Sequence, residues 1–157
     1  MPSNRQPSLT PDEARQLHAE ALVIDTQQPP ITSGIVFTPK MRETVEALAQ
    51  LGRTRAEAAP KVEAAMVRDI QTSQEARQMY LDMWRDSGVT VACGTYSGAF
   101  RPEGAFEGAV TKIANAHAIV DACRDQMMIV RNSADLEQAH RENKYGIIID
   151  FQETWPV

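Results

Sequence analysis

Three apolar segments of this sequence end in polar side chains that could bind a ligand. The segments 21–26, 89–96 and 145–152 are rich in β-branched residues, and each is preceded by a helix-like segment. If they form parallel neighbouring strands, their carboxyl ends meet at one edge of a sheet, where α/β folds place their sites. We therefore predict a pocket at that edge, lined by the side chains of Asp25, Gln27, Tyr96 and Gln152.

Asp25 is the most informative of these residues because its carboxylate closes an apolar strand. A carboxylate in that position must accept hydrogen bonds, bind a metal ion or face a pocket. The sequence leaves two roles open for Asp25. It either serves a ligand or accepts backbone N–H groups from the proline-containing loop at 27–39.

Common catalytic patterns are missing from the rest of the sequence. The segment 94–98 does not have the Gly-x-Ser-x-Gly spacing of a nucleophile elbow, and no glycine-rich phosphate-binding loop is present. Cys93 and Cys123 are too few for a disulfide framework, so we predict two buried, reduced thiols. The three histidines lie on different predicted helices with no pair at metal-ligand spacing: His18, His117 and His140.

The elements that position the predicted pocket are strands alternating with capped helices. Helix starts are predicted at Thr10, Thr38, Thr54 and Thr72, three of them with a glutamate three residues later that completes a capping box. Residues 127–130 form a short extended piece. Further helices are predicted at 106–124 and 133–142, and residues 1–9 read as a disordered tail. This order predicts an α/β fold with a parallel sheet.

Composition narrows the classes of partner. The chain has 157 residues, 43% of them hydrophobic, and a formal charge of −5, with its basic residues scattered singly. These values are typical of one globular domain and argue against nucleic acid as a partner. No segment has the length of a membrane span or the apolar core of a signal peptide, which favours a cytoplasmic protein.

Several segments in order resemble the membrane (renal-type) dipeptidase family. They are 21–25, 88–91, 106–117 and above all 133–140, which leads into 144–154. The resemblance covers nearly all of residues 11–157. It implies a TIM-like (β/α)8 barrel, of which this chain would supply the first three strands and their helices, so that residues 10–157 are an incomplete barrel domain. It also implies hydrolysis of dipeptides by water activated at two zinc ions.

The positions that bind zinc in that family are changed here. The resemblance places Gln27 and Pro29 where the first strand has a histidine and an aspartate, and Gln152 where a glutamate bridges the two metals. Amide and proline side chains cannot replace imidazole and carboxylate ligands. We therefore expect no zinc or other cofactor in this chain.

The sequence leaves two main hypotheses and a third possibility. The chain is either a divergent, truncated dipeptidase-like protein that is not competent as a zinc dipeptidase, or a non-catalytic α/β module that self-associates or binds a partner through its exposed sheet. The third possibility is that a full-length form binds a small peptide or amide. In the barrel interpretation, Ile147, Ile149 and Phe151 face the barrel interior and Ile148 faces a covering helix. Without later strands these side chains are exposed, so we expect self-association.

Overall fold

The computed structural model describes residues 9–28, 36–96 and 102–151 of the chain. Within these ranges six helices alternate with four strands. In chain order they are α1 (Pro11–Glu20), β1 (Ile24–Gln28), α2 (Pro39–Gln50), α3 (Arg55–Thr72), α4 (Gln74–Ser87), β2 (Val91–Thr95), α5 (Ala105–Ala122), β3 (Met127–Ile129), α6 (Ser133–Arg141) and β4 (Tyr145–Asp150). Residues 1–8, most of the loop after β1, Pro29 and Gln152 lie outside the described residues.

Threonine caps begin three of the helices as predicted. Thr10 and Thr54 form complete capping boxes with Glu13 and Glu57, and the Thr38 side chain accepts a hydrogen bond from the backbone of α2. The predicted cap at Thr72 is wrong. Its hydroxyl donates to the Arg68 carbonyl inside α3, and Ser73, one residue later, caps α4. The chain therefore passes from α3 to α4 through a single residue.

The strands form one parallel sheet in the order β1-β2-β4-β3. The three predicted strands are parallel neighbours, which confirms that part of the prediction. The prediction of only three strands was wrong, because the short piece Met127–Ile129 forms a fourth strand along the first half of β4. The α/β class is thus confirmed. The described sheet is open, with β1 and β3 at its edges, and closure into a TIM-like barrel stays a prediction.

Helices cover both faces of the sheet, but unequally. One face is covered by α3, α4 and α5, whose apolar side chains form the main core with Ala92, Met127 and Ile147. The other face carries a smaller cluster, in which Leu136 and Ala139 of α6 pack with Val91. Neighbouring strand residues point to opposite faces, so the two clusters are the two sides of one sheet.

The apolar residues of β4 are covered differently from the barrel interpretation. Ile147 has no exposed surface and lies with Ile149 and Phe151 in the core beneath the helices, so its expected place in a barrel interior was wrong. Ile148 packs in the α6 cluster, as expected for a residue that faces a covering helix. Tyr145 stacks on Trp84 of α4 with 5.4 Å between ring centroids. The last strand is therefore held on both faces.

Candidate functional site

The carboxyl-terminal halves of β1, β2 and β4 lie side by side. The register pairs Asp25 with Ala92 in the first half of β1, and a bulge then brings Gln28 opposite Gly94. On the other side of β2, Thr95 pairs with Asp150. Asp150 therefore lies at the carboxyl end of the sheet, whereas Asp25 lies near the start of β1, opposite Ala92 and on the face of the main core.

Cys93 lies on β2, the strand between β1 and β4. It is partly buried and pairs with Ile148 of β4, so it shares the face on which Asp150 follows two residues later. Burial raises the pKa of the Cys93 thiol, and the charges of Asp150 and then Asp25 raise it further. At neutral pH this keeps the thiol protonated, because a thiolate beside two carboxylates is disfavoured. The arrangement suits a neutral donor beside the Asp150 carboxylate and not an activated nucleophile.

Tyr96 occupies the core instead of a pocket at the sheet edge. Its backbone N–H extends the sheet by donating to the Asp150 carbonyl at 2.8 Å, but its side chain has no exposed surface and packs in the main core. Among the described residues its hydroxyl has no hydrogen-bond partner. Burial, with a smaller contribution from Glu63, raises the pKa of Tyr96. The structure thus separates Tyr96 from the predicted pocket.

The close approach of Tyr96 to its own strand explains Gly94. A Cβ atom on Gly94 would lie 2.5 Å from Cε2 of the Tyr96 ring. The ring therefore folds back over β2 in the space that a side chain at 94 would fill.

The remaining predicted pocket residues are only partly described. Gln27 belongs to β1, and Gln152 lies outside the described residues. Sequence reasoning missed Cys93 and Asp150 as members of the site. Asp150 could have been found, since it lies two residues before Gln152 and alternate residues of a strand share a face. Cys93 could not have been found from the sequence, because its place beside Asp150 depends on the register between β2 and β4.

Other candidate groups do not converge on this edge. Cys123 is buried at the end of α5, and burial raises its pKa to about 11. The three histidines lie on α1, α5 and α6, as predicted. Over the three described ranges, no group of three or more His, Cys, Asp or Glu side chains is placed to hold a metal ion. No helix in those same ranges has the length and apolar character to cross a membrane.

Comparison with known proteins adds no family to this description. No family model, curated protein or solved structure matches the chain. The resemblance to membrane dipeptidases stays a prediction from the sequence.

Proposed function

We propose that this chain is a dipeptidase-like α/β domain that binds a small peptide or amide at the carboxyl end of its sheet without a binuclear zinc centre. One observation carries the proposal: the carboxylate of Asp150, at the end of β4, lies on the same face of the sheet as the thiol of Cys93. A negative charge beside a neutral thiol favours a cationic group. The terminal ammonium of a peptide has that charge and donates charge-assisted hydrogen bonds to carboxylates.

Binding without zinc-dependent hydrolysis follows from the residues at the family's metal positions. Gln27, Pro29 and Gln152 stand where the resemblance requires a histidine, an aspartate and a bridging glutamate. Neutral side chains at all three positions cannot balance the charge of two dications. A cytoplasmic location is part of the same proposal, supported by Cys93 and Cys123 as free thiols.

A calorimetric titration tests the peptide site. Glycyl-leucine is added to the full chain in buffer that contains a chelator, and N-acetyl-glycyl-leucine serves as the ligand without a terminal charge. We expect the free dipeptide to bind at least about 10-fold more tightly than the acetylated one, the lower end of the range for one charge-assisted hydrogen bond. Asp150→Asn should remove most of that preference, and Asp25→Asn, on the other face of the sheet, should change it much less.

Asp121→Asn is the matched control, since Asp121 is an exposed aspartate on α5, away from the sheet edge. Equal binding of the two peptides, or an equal effect of the control variant, would contradict the proposal. Absence of binding together with a mass that rises with concentration would favour the alternative function, a self-associating module. In that case the edge strand β1, where Ile24 is 39% exposed, is the surface to examine.

A further inference from the structure

A second concave site lies between α2 and α3, away from the sheet edge. The two helices are joined by a short turn and line an open pocket of about 550 Å³. From α2 it is lined by residues at helical spacing, Met41, Val45, Leu48 and Ala49. This volume falls in the range of small-molecule sites, which are mostly apolar with a few polar groups.

Small side chains on both helices create the pocket. Ala49 on α2 faces Ala58 and Ala59 on α3. Larger apolar side chains at these three alanine positions would contact one another between the two helices and fill the pocket. Val45 is 38% exposed although it belongs to the apolar stripe of α2, so the pocket leaves an apolar wall open to solvent.

The charges of the pocket are separated along α3. Arg53 and Arg55 lie at the turn, and Glu63 lies two helical turns further on. Eight residues of helix separate Arg55 from Glu63, a rise of about 12 Å. Arg53 is paired with Glu57 at 3.2 Å, whereas Arg55 makes no ion pair with another described residue. One guanidinium at the turn is thus available to an anion.

Glu63 makes the opposite end of the pocket unfavourable for an anion. Its carboxylate is partly buried and accepts a hydrogen bond from Asn115 Nδ2 at 3.2 Å, which ties α3 to α5. A second negative group brought to this end would meet a fixed like charge, which is costly. The pocket therefore has one cationic end, an apolar middle and one anionic end.

We propose that this pocket binds a linear apolar monocarboxylate, with its carboxylate on Arg55 and its hydrocarbon chain along the apolar stripes towards Glu63. The guanidinium supplies two parallel donors that match a carboxylate. The alanines give the chain its space, and Glu63 rejects a ligand with a carboxylate at both ends. This site is independent of the peptide site proposed above.

Titration calorimetry with three ligands of equal chain length tests the proposal on the full chain. Decanoate should bind about 5- to 10-fold more tightly than 1-decanol, which lacks the charge, because one charge-assisted hydrogen bond at a partly exposed site is lost. Decanedioate should bind more weakly than decanoate. Arg55→Gln should abolish the preference for decanoate over 1-decanol, and Glu63→Gln should restore binding of decanedioate.

Two further variants control for indirect effects. Arg68→Gln removes an exposed arginine of the same helix outside the pocket and should leave all three affinities unchanged. Ala59→Leu fills the pocket from an exposed position and should weaken all three ligands while the thermal melt stays within a few degrees. The proposal is overturned by no saturable binding of decanoate, by equal affinities for decanoate and 1-decanol, or by an equal effect of Arg55→Gln and Arg68→Gln.

Discussion

Ile147→Ala is expected to lower the free energy of unfolding by about 2–5 kcal/mol, the cost of emptying a fully buried aliphatic site. Ile147 has no exposed surface and lies on β4 in the core formed by α3, α4 and α5. The side chain touches a preformed helix layer, so its loss leaves a cavity that the sheet cannot easily close. Urea unfolding followed by circular dichroism measures the difference.

Ile24→Ala is the matched control, because Ile24 is also an isoleucine in the sheet but is 39% exposed on the edge strand. Replacing it should lower the free energy of unfolding by less than about 1 kcal/mol, because a large part of the Ile24 side chain is already in contact with water. A small effect of Ile147→Ala, similar to that of Ile24→Ala, would show that the helices do not cover this face of β4.

Gly94→Ala is expected to destabilise the fold by about 1–3 kcal/mol through overpacking. The added Cβ would lie 2.5 Å from Cε2 and 3.0 Å from Cζ of Tyr96, whose ring is stiff and completely buried. Neither the ring nor β2 can move without disturbing the main core. Thermal melts of the variant and the parent chain measure the loss.

A double-mutant cycle separates this clash from a general effect on β2. Tyr96→Leu shortens the side chain that the new Cβ would meet, so Gly94→Ala should cost clearly less in the Tyr96→Leu background than in the parent chain. If the two costs are equal, the position of the Tyr96 ring over Gly94 is contradicted.

The main strands of this fold could be predicted because each has a strong local signal. Apolar runs with β-branched residues indicate β2 and β4. Capping boxes, such as the one that Thr54 and Glu57 form at the start of α3, indicate where helices between the strands begin. The β1 boundaries were less accurate, with 21–26 predicted and Ile24–Gln28 observed. An edge strand pairs on one side only, so polar residues such as Gln28 can continue it without an apolar pattern.

The fourth strand could not be predicted from local pattern alone. Met127–Ile129 has only three residues, and its strand character comes from pairing with the first half of β4. That pairing forms because α5 connects β2 to β3 and α6 connects β3 to β4, which lies between β2 and β3 in the sheet. Such a strand is a property of the topology and not of its own sequence.

A site at the carboxyl end of the sheet stays a prediction, and the structure places its predicted members differently. Asp25 was expected near the end of its strand, because the strand was predicted to end at residue 26, but it is the second residue of β1. The rule that parallel strands bring their carboxyl ends to one edge depends on knowing where each strand ends. It could not tell which side chains point into the core. Tyr96 turned inward because Gly94 leaves room for its ring, while Cys93 and Asp150 became neighbours only through the register of β2 with β4.

Alkylation of Cys93 as a function of pH tests the central claim most directly. The rate of carboxamidomethylation by iodoacetamide is followed at Cys93 by mass spectrometry, with and without glycyl-leucine. Because burial and the two carboxylates raise the pKa of this thiol, its rate should rise at higher pH than that of an ordinary cysteine, and Asp150→Asn should move the profile to lower pH. The dipeptide should slow the reaction in the parent chain and much less in Asp150→Asn. An ordinary pH profile that Asp150→Asn leaves unchanged, with no protection by the dipeptide, would contradict a peptide site at Cys93 and Asp150.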